Sequence, residues 1–79
     1  MLEAYQELAE FIIKGLVDNP AQVQISASEE RGQIVLEVRV AEGDAGRIIG
    51  KQGRVINAIR TLLEAHADGR GERISLDIL

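Results

Sequence analysis

Several kinds of residue are missing, or nearly missing, from this chain of 79 residues. It has no cysteine, which excludes disulfides, thiolate nucleophiles and cysteine-ligated zinc. No run of apolar residues approaches the roughly 20 that a membrane-spanning helix needs. The first residues include acids where a secretory signal peptide would carry cations, and no cleavage site of small residues follows. These absences predict a soluble protein of the cytoplasm that has no membrane partner.

Aromatic and histidine side chains are equally scarce. The chain has one tyrosine, Tyr5, one phenylalanine, Phe11, and no tryptophan. We expect both aromatic residues to pack in the core or on the face of the first helix. Modules that stack nucleobases on a sheet carry aromatic residues on their strands, so this chain is of another type. The single histidine, His66, is expected to pack near a helix C-terminus, since no Ser or Asp is placed to form a nucleophilic relay with it. We therefore expect no enzymatic activity, no small-molecule substrate, no metal and no other cofactor.

Length and composition predict a small folded domain. Hydrophobic residues make up 46% of the chain and charged residues 28%, which is typical of a globular protein and not of a disordered one. We expect one domain that spans residues 1–79. Chains of this size bury a small core and are marginally stable alone, so we also expect self-association or a partner.

Hydrophobic periodicity predicts six elements in the order α-β-β-α-α-β. Helical segments repeat apolar residues every three or four positions, and strand segments alternate apolar with polar residues. A short turn over residues 29–32 makes the first two strands an antiparallel hairpin. Asp44 is expected to cap the second helix by accepting the backbone N–H of Arg47. The predicted fold class is α+β, with helices over one face of a three-stranded sheet. The elements are predicted at residues 2–17, 22–28, 33–40, 45–49, 54–68 and 73–79.

The stretch RIIGKQGRVINAIR, residues 47–60, concentrates positive charge. It holds four cations and no acid, whereas the whole chain carries −4, so the remaining residues carry −8. Two glycines, Gly50 and Gly53, interrupt the stretch, although glycine costs about 1 kcal/mol relative to alanine within a helix. Cations around a turn that glycine makes easily indicate an anion-binding site more than a solvated helix face. The four cations are Arg47, Lys51, Arg54 and Arg60.

Nucleotide-binding motifs that use glycine turns do not fit this stretch. A P-loop has four residues between its glycines, whereas three separate Gly46 from Gly50, and Gln52 stands where the motif needs Ser or Thr. A dinucleotide fingerprint follows a strand, whereas this turn joins two helices. A helix-turn-helix that reads DNA remains a minor alternative, although it leaves three strands unexplained. Its polar face would be Arg54, Asn57, Arg60 and Thr61.

The segment Ile48-Ile49-Gly50-Lys51-Gln52-Gly53-Arg54-Val55-Ile56 resembles the core motif of the K-homology (KH) domain. That motif is an aliphatic pair, then G-x-x-G, then x-x-I. A lone G-x-x-G is a weak signal, whereas the aliphatic frame, a basic residue in the loop and the element order together make it specific. The resemblance covers the whole chain, because α-β-β-α-α-β is the order of the bacterial, type II form. The chain length and the segments LVDNP and GKQGR are similar to those of the small single-domain bacterial KH proteins of the KhpA family.

The resemblance implies a ligand and a set of contacting residues. KH modules clamp about four nucleotides of single-stranded RNA backbone with the G-x-x-G loop and read the bases in an adjacent groove. Loop amides at the start of the next helix would favour a phosphate. The aliphatic floor and wall of the groove would be formed by Ile48, Ile49, Val55 and Ile56. We expect at least two of these four residues to be structural. The implied RNA-binding residues are Arg47, Ile49, Gly50, Lys51, Gln52, Gly53, Arg54 and Ile56.

The resemblance also implies a role and a protein partner. It suggests an RNA chaperone or post-transcriptional regulator that pairs with itself or with a larger KH-containing protein of the KhpB type. We expect such pairing to use part of a helical face, because the helix at 54–68 carries a wide apolar stripe. A protein-interaction module that binds RNA weakly is a second hypothesis, which the acidic remainder of the chain favours. The stripe consists of Val55, Ile56, Ile59, Leu62, Leu63 and His66.

Overall fold

The computed structural model describes residues 2–79 and places three helices over one face of a three-stranded sheet. The elements are α1 (Leu2–Lys14), β1 (Gln24–Glu30), β2 (Gln33–Arg39), α2 (Ala45–Ile49), α3 (Arg54–Asp68) and β3 (Arg73–Ile78). This α+β class and element order confirm the prediction and match a type II KH fold. Within residues 2–79, no helix is both long enough and apolar enough to cross a membrane. Three 3₁₀ turns were not predicted, at Pro20–Gln22, Glu42–Asp44 and Lys51–Gly53.

The central strand of the sheet is β2, which pairs with β1 in antiparallel and with β3 in parallel orientation. The predicted hairpin is confirmed, but its turn consists only of Arg31 and Gly32, not of residues 29–32. Both turn residues have positive φ, 54° and 77°, a two-residue geometry whose twist matches that of the strands. Glu29 and Glu30 therefore stay in the ladder of paired residues. Backbone pairing overrides their low preference for strands.

The core lies between the inward face of the sheet and the helices. Apolar residues alternate along the strands, so that one face of the sheet is buried. The expectation that Phe11 would pack was wrong, since Phe11 is 81% exposed. Leu62 of the wide apolar stripe is 58% exposed. Phe11 lies two positions from both Ala9 and Ile13, so it is on the side of α1 away from the core, whereas Leu62 lies beside the buried stripe of α3. The buried helical residues are Tyr5, Ala9 and Ile13 on α1, Ile48 on α2, and Ile56, Ile59, Leu63 and Ala67 on α3.

Tyr5 joins α1 to the C-terminal end of α3. Its buried hydroxyl donates a hydrogen bond to the Glu72 carboxylate. Its ring meets that of His66 edge-on, with centroids 5.4 Å apart. Burial and the neighbouring Glu72 carboxylate both raise the pKa of Tyr5. The packing expected of Tyr5 is therefore confirmed, and the tyrosine has the polar partner that a buried phenol requires. His66 contacts its ring but is itself exposed.

Asp44 does not cap α2, and the prediction that it accepts the N–H of Arg47 was wrong. Its buried carboxylate instead accepts the backbone N–H groups of Asp18 and Asn19, at 3.1 and 3.0 Å. It also accepts the side-chain amide of Asn19 at 3.2 Å. Burial raises the pKa of Asp44, but these hydrogen bonds outweigh it and hold the pKa below its ordinary value. The carboxylate thus fastens the segment after α1, which ends at Lys14 and not at residue 17.

Candidate nucleic-acid interface

The turn between α2 and α3, here called the GKQG loop (residues 50–53), reverses the chain within four residues. Gly50 ends α2, and its N–H donates to the Gly46 carbonyl at 2.8 Å. The N–H of Gly53 donates back to the Gly50 carbonyl at 3.1 Å, and that of Arg54 to Lys51. The bonds of Gly53 and Arg54 occupy two of the loop N–H groups that we expected from the sequence to bind a phosphate. The loop is therefore held by its own backbone before any ligand arrives.

The two glycines of the GKQG loop are required for different reasons. Gly50 has φ 76° and ψ 171°, and a Cβ at this position would lie 2.5 Å from Cγ2 of Val55. Gly53 has φ 74° and ψ 16°, but a Cβ there would meet no atom closer than 3.7 Å. Gly50 therefore lacks a side chain because Val55 packs against it, whereas Gly53 supplies a left-handed residue. A Cβ at Gly53 would make only ordinary contacts, with Asn57 and Ile56, so sterics alone do not exclude a side chain there.

The four predicted cations have different surroundings in the fold. Arg47 forms an ion pair with Asp18, at 3.1 Å between Nη2 and Oδ2. Arg60 donates from Nε and Nη2 to the carbonyl of Leu76, at 3.2 and 3.0 Å. Lys51 and Arg54 are exposed and have no hydrogen-bond or ion-pair partner among residues 2–79. The structure thus brings two free cations, not four, to the GKQG loop.

The start of α3 adds a second attraction for an anion. No acid lies in its first turn and no side chain caps it, within the part of the chain that the structure describes. The first N–H groups of a helix have no partner inside the helix, and the helix dipole makes this end positive. Arg54 at this position is unfavourable for the helix alone. A bound phosphate would reverse that interaction and turn it into an attraction.

The aliphatic residues that frame the GKQG loop divide between core and surface. Ile48 and Ile56 are buried, at 0% and 6% exposure, so both are structural. Ile49 is 41% exposed, and Val55 is half-buried against Gly50. The structure therefore places Ile56 of the predicted site in the core. Ile49 remains as the exposed apolar neighbour of the loop.

β3 is an edge strand of the sheet and packs against α3, which the sequence did not show. The N–H of Leu79 donates to the carbonyl of Val38 at 2.9 Å. With the parallel register, this bond leaves the main-chain groups of Ile74, Leu76 and Ile78 pointing away from β2. A cleft of about 270 Å³ lies between this edge and α3. A β-strand that follows a helical crossover pairs in parallel with the strand before it, which is the sequence signal that could have located this edge.

Comparison with known proteins gives consistent matches along the chain. A family model described as the KhpA/KhpB KH domain matches residues 6–78. The RNA-binding protein KhpA of Borreliella burgdorferi is 47% identical over 73 residues, which cover 92% of this chain and 89% of that protein. The protein of the same name from Treponema pallidum is 40% identical over 79 residues, covering 100% of this chain and 99% of its own. A third, from Chlamydia trachomatis, is 43% identical over 74 residues, covering 94% and 95%.

Proposed function

The chain belongs to the KhpA/KhpB family of KH domains, and from that premise we propose that it binds single-stranded RNA or unpaired RNA loops. The relatives reported above are named RNA-binding proteins, and the family is not one of enzymes. We propose that residues 1–79 act as a single KH domain in the cytoplasm. Its role would be that of an RNA chaperone or post-transcriptional regulator. The observation that carries the proposal is the pair of unpartnered cations on a preformed glycine turn at the start of α3.

In this proposal the GKQG loop holds the RNA backbone. Lys51 and Arg54 flank a turn whose Gly53 has no side chain to exclude a phosphate. The positive end of α3 lies at the same place, so the two cations, the helix dipole and the missing side chain of Gly53 all favour a phosphate there. Gln52 lies at the tip of the turn and is exposed. Arg47 contributes less than the sequence suggested, since Asp18 already neutralises it.

The bases would then lie along α3 toward the edge of β3. Ile49 offers apolar surface next to the loop, and the main-chain groups of β3 offer hydrogen bonds to base edges. Arg60 already satisfies the Leu76 carbonyl, so fewer edge groups are open than in a bare strand. This arrangement needs no aromatic stacking, which fits a chain whose aromatic residues both lie on α1.

Salt dependence of RNA binding tests this proposal. Two free cations predict a slope of log Kobs against log salt of about −1.4, taking roughly −0.7 per phosphate contact with a single strand. All four cations would give about −3, so the slope separates the two cases. Filter binding of a uridine oligonucleotide at several salt concentrations measures it.

Matched variants locate the contacts that produce this slope. Arg54→Gln should reduce its magnitude by about 0.7, the value of one contact. Arg31→Gln removes an equal charge at the β1–β2 turn, at the opposite end of β2 from the GKQG loop, and should leave the slope unchanged. A wild-type slope near zero would contradict the proposal and favour the protein-interaction module.

A second surface supports protein pairing in addition to RNA binding. Phe11 on α1 and Leu62 on α3 are both large, apolar and exposed, and these two helices pack against each other. Exposed aromatic and aliphatic side chains of this kind are typical of interfaces. We propose that the helical layer pairs with a second copy of this chain or with a larger KH protein of the KhpB type. The description of the matched family, which joins KhpA and KhpB, agrees with such a partner.

Sedimentation tests the pairing. The wild-type protein at high micromolar concentration should sediment as a dimer, and Leu62→Glu should sediment as a monomer because the charge would be buried in the interface. Leu79→Glu is the matched control, since Leu79 is also 58% exposed but follows β3. A strictly monomeric wild type that also recovers no KH protein in a pull-down would contradict the pairing.

A further inference from the structure

Arg60 and Glu64 lie one helical turn apart on α3 but form no ion pair. Residues with this spacing face each other on a helix and usually attract when they differ in charge. Here the guanidinium of Arg60 reaches to the Leu76 carbonyl instead. Within residues 2–79, the carboxylate of Glu64 has no hydrogen-bond or ion-pair partner. Both side chains line the cleft of about 270 Å³ between α3 and β3.

The cleft therefore presents donors and acceptors one helical turn apart along α3. Arg60 donates from Nε and Nη2 to the Leu76 carbonyl, and its Nη1 lies 3.4 Å from Oδ1 of Asn57. These contacts leave further guanidinium N–H groups free. Glu64 offers two carboxylate oxygens that accept and cannot donate. Apolar groups of Leu63 and Ile74 also line the cleft. A planar ligand with an acceptor beside two donors would satisfy both Arg60 and Glu64.

A phosphate is a poor occupant of this cleft. Glu64 would repel it, and a neighbouring cleft that shares Glu64 is lined by two further acids, Asp68 and Glu72, against one cation, Arg73. The charge on α3 thus changes from basic near the GKQG loop to acidic near its C-terminus. Such a gradient keeps the RNA backbone at the loop and leaves the cleft to a base.

We propose that this cleft is a guanine-selective base pocket, which deepens the proposed RNA binding and rests on it. Guanine carries the O6 acceptor beside the N1–H and N2–H₂ donors on one edge. Glu64 accepts from both donors at once, and Arg60 donates to O6. Adenine and cytosine present one donor group on that edge next to an acceptor, and uracil presents a single N–H. None of these three bases satisfies both oxygens of Glu64.

Fluorescence anisotropy with defined oligonucleotides tests the pocket. The probes are hexauridylate and four derivatives in which one guanosine replaces the uridine at position 2, 3, 4 or 5. We expect the best guanosine probe to bind about tenfold more tightly than hexauridylate, as a good bidentate contact to a base discriminates. Inosine at that position lacks the 2-amino group and should lose most of the gain.

Glu64→Gln is the decisive variant, because Glu64 is exposed and without a partner, so the fold does not depend on it. It should bind hexauridylate at least as tightly as wild type, because it removes a negative charge that faces the RNA. Its preference for guanosine should vanish, since the side-chain nitrogen of Gln donates instead of accepting and would face one of the two guanine donors. Glu29→Gln, on β1, removes an equal charge and should keep the preference.

The outcomes separate this inference from the proposed function. Equal binding of all probes by wild type would overturn the guanine pocket and leave RNA binding in place. A preference that survives in Glu64→Gln would overturn it as well. No binding of any probe would overturn the proposed function, and the pocket with it. A preference that is lost only in Glu64→Gln supports the pocket.

Discussion

A protein that carries both Lys51→Asp and Gln52→Asp is expected to lose RNA binding almost completely. The change removes one cation and places two anions beside the phosphate, which costs roughly 3 kcal/mol, or about 100-fold in affinity. Both side chains are exposed and contribute nothing to the core. Gln52 has a left-handed backbone, with φ 57° and ψ 26°, and Asp tolerates that region at least as well as Gln. The fold should therefore keep its stability within about 0.5 kcal/mol.

Anisotropy with a labelled uridine oligonucleotide measures the loss, and circular dichroism with thermal melting checks the fold. The matched control is Ser28→Asp with Arg31→Asp, which changes the net charge equally near the β1–β2 turn. This control should retain most of the affinity, because long-range repulsion is screened by salt. Wild-type affinity in the double-Asp loop protein would show that the GKQG loop does not clamp RNA.

Gly50→Ala should unfold the protein at much lower temperature than wild type. The new Cβ would lie 2.5 Å from Cγ2 and 2.9 Å from the backbone N of Val55, which cannot move without shifting the start of α3. The backbone region at φ 76° and ψ 171° is also essentially restricted to glycine. Strain and overpacking together should cost about 3 kcal/mol or more. For a chain of this length, that corresponds to a decrease in Tm of about 12 °C or more.

Two other glycines provide controls for this effect. Gly53→Ala meets no close atom and bears only the left-handed penalty, so it should cost about 1–2 kcal/mol. Gly46→Ala lies within α2 with nothing near its new Cβ, and should stabilise the protein by up to about 1 kcal/mol. Calorimetry of the three variants gives the order directly. If Gly50→Ala melts no lower than Gly53→Ala, the close approach of Val55 does not explain why residue 50 is a glycine.

Most of the fold was predictable because it depends on local patterns. The bounds of α3 were predicted correctly, since its apolar period begins after Gly53 and ends before Gly69. The errors fall at the ends of elements. The Glu-Glu pair before Arg31 resembles a turn, but its residues are held in β1 by pairing with β2. Long-range backbone bonds of this kind decide where a strand ends, and a single segment does not reveal them.

The candidate site, like the fold, was predicted where it depends on neighbouring residues and not where it depends on distant contacts. The glycine pair and the cluster of cations located the GKQG loop, because both are properties of neighbouring residues. Which cations are free was decided by partners distant in sequence: Asp18 pairs with Arg47, and the Leu76 carbonyl binds Arg60. That second contact occupies the Arg60 guanidinium, which forms no ion pair with Glu64.

Sequence by itself determined the element order, the class of the fold and the position of the glycine turn, since periodicity and glycine act locally. Tertiary structure decided what each polar group does. Asp44 shows the physical reason, because a local rule predicts one cap bond with Arg47, whereas the folded chain brings three donors from Asp18 and Asn19 to its carboxylate. A buried carboxylate is stabilised by the larger number of hydrogen bonds, and unsatisfied donors would cost more than a missing cap. Only the assembled fold places those donors within reach.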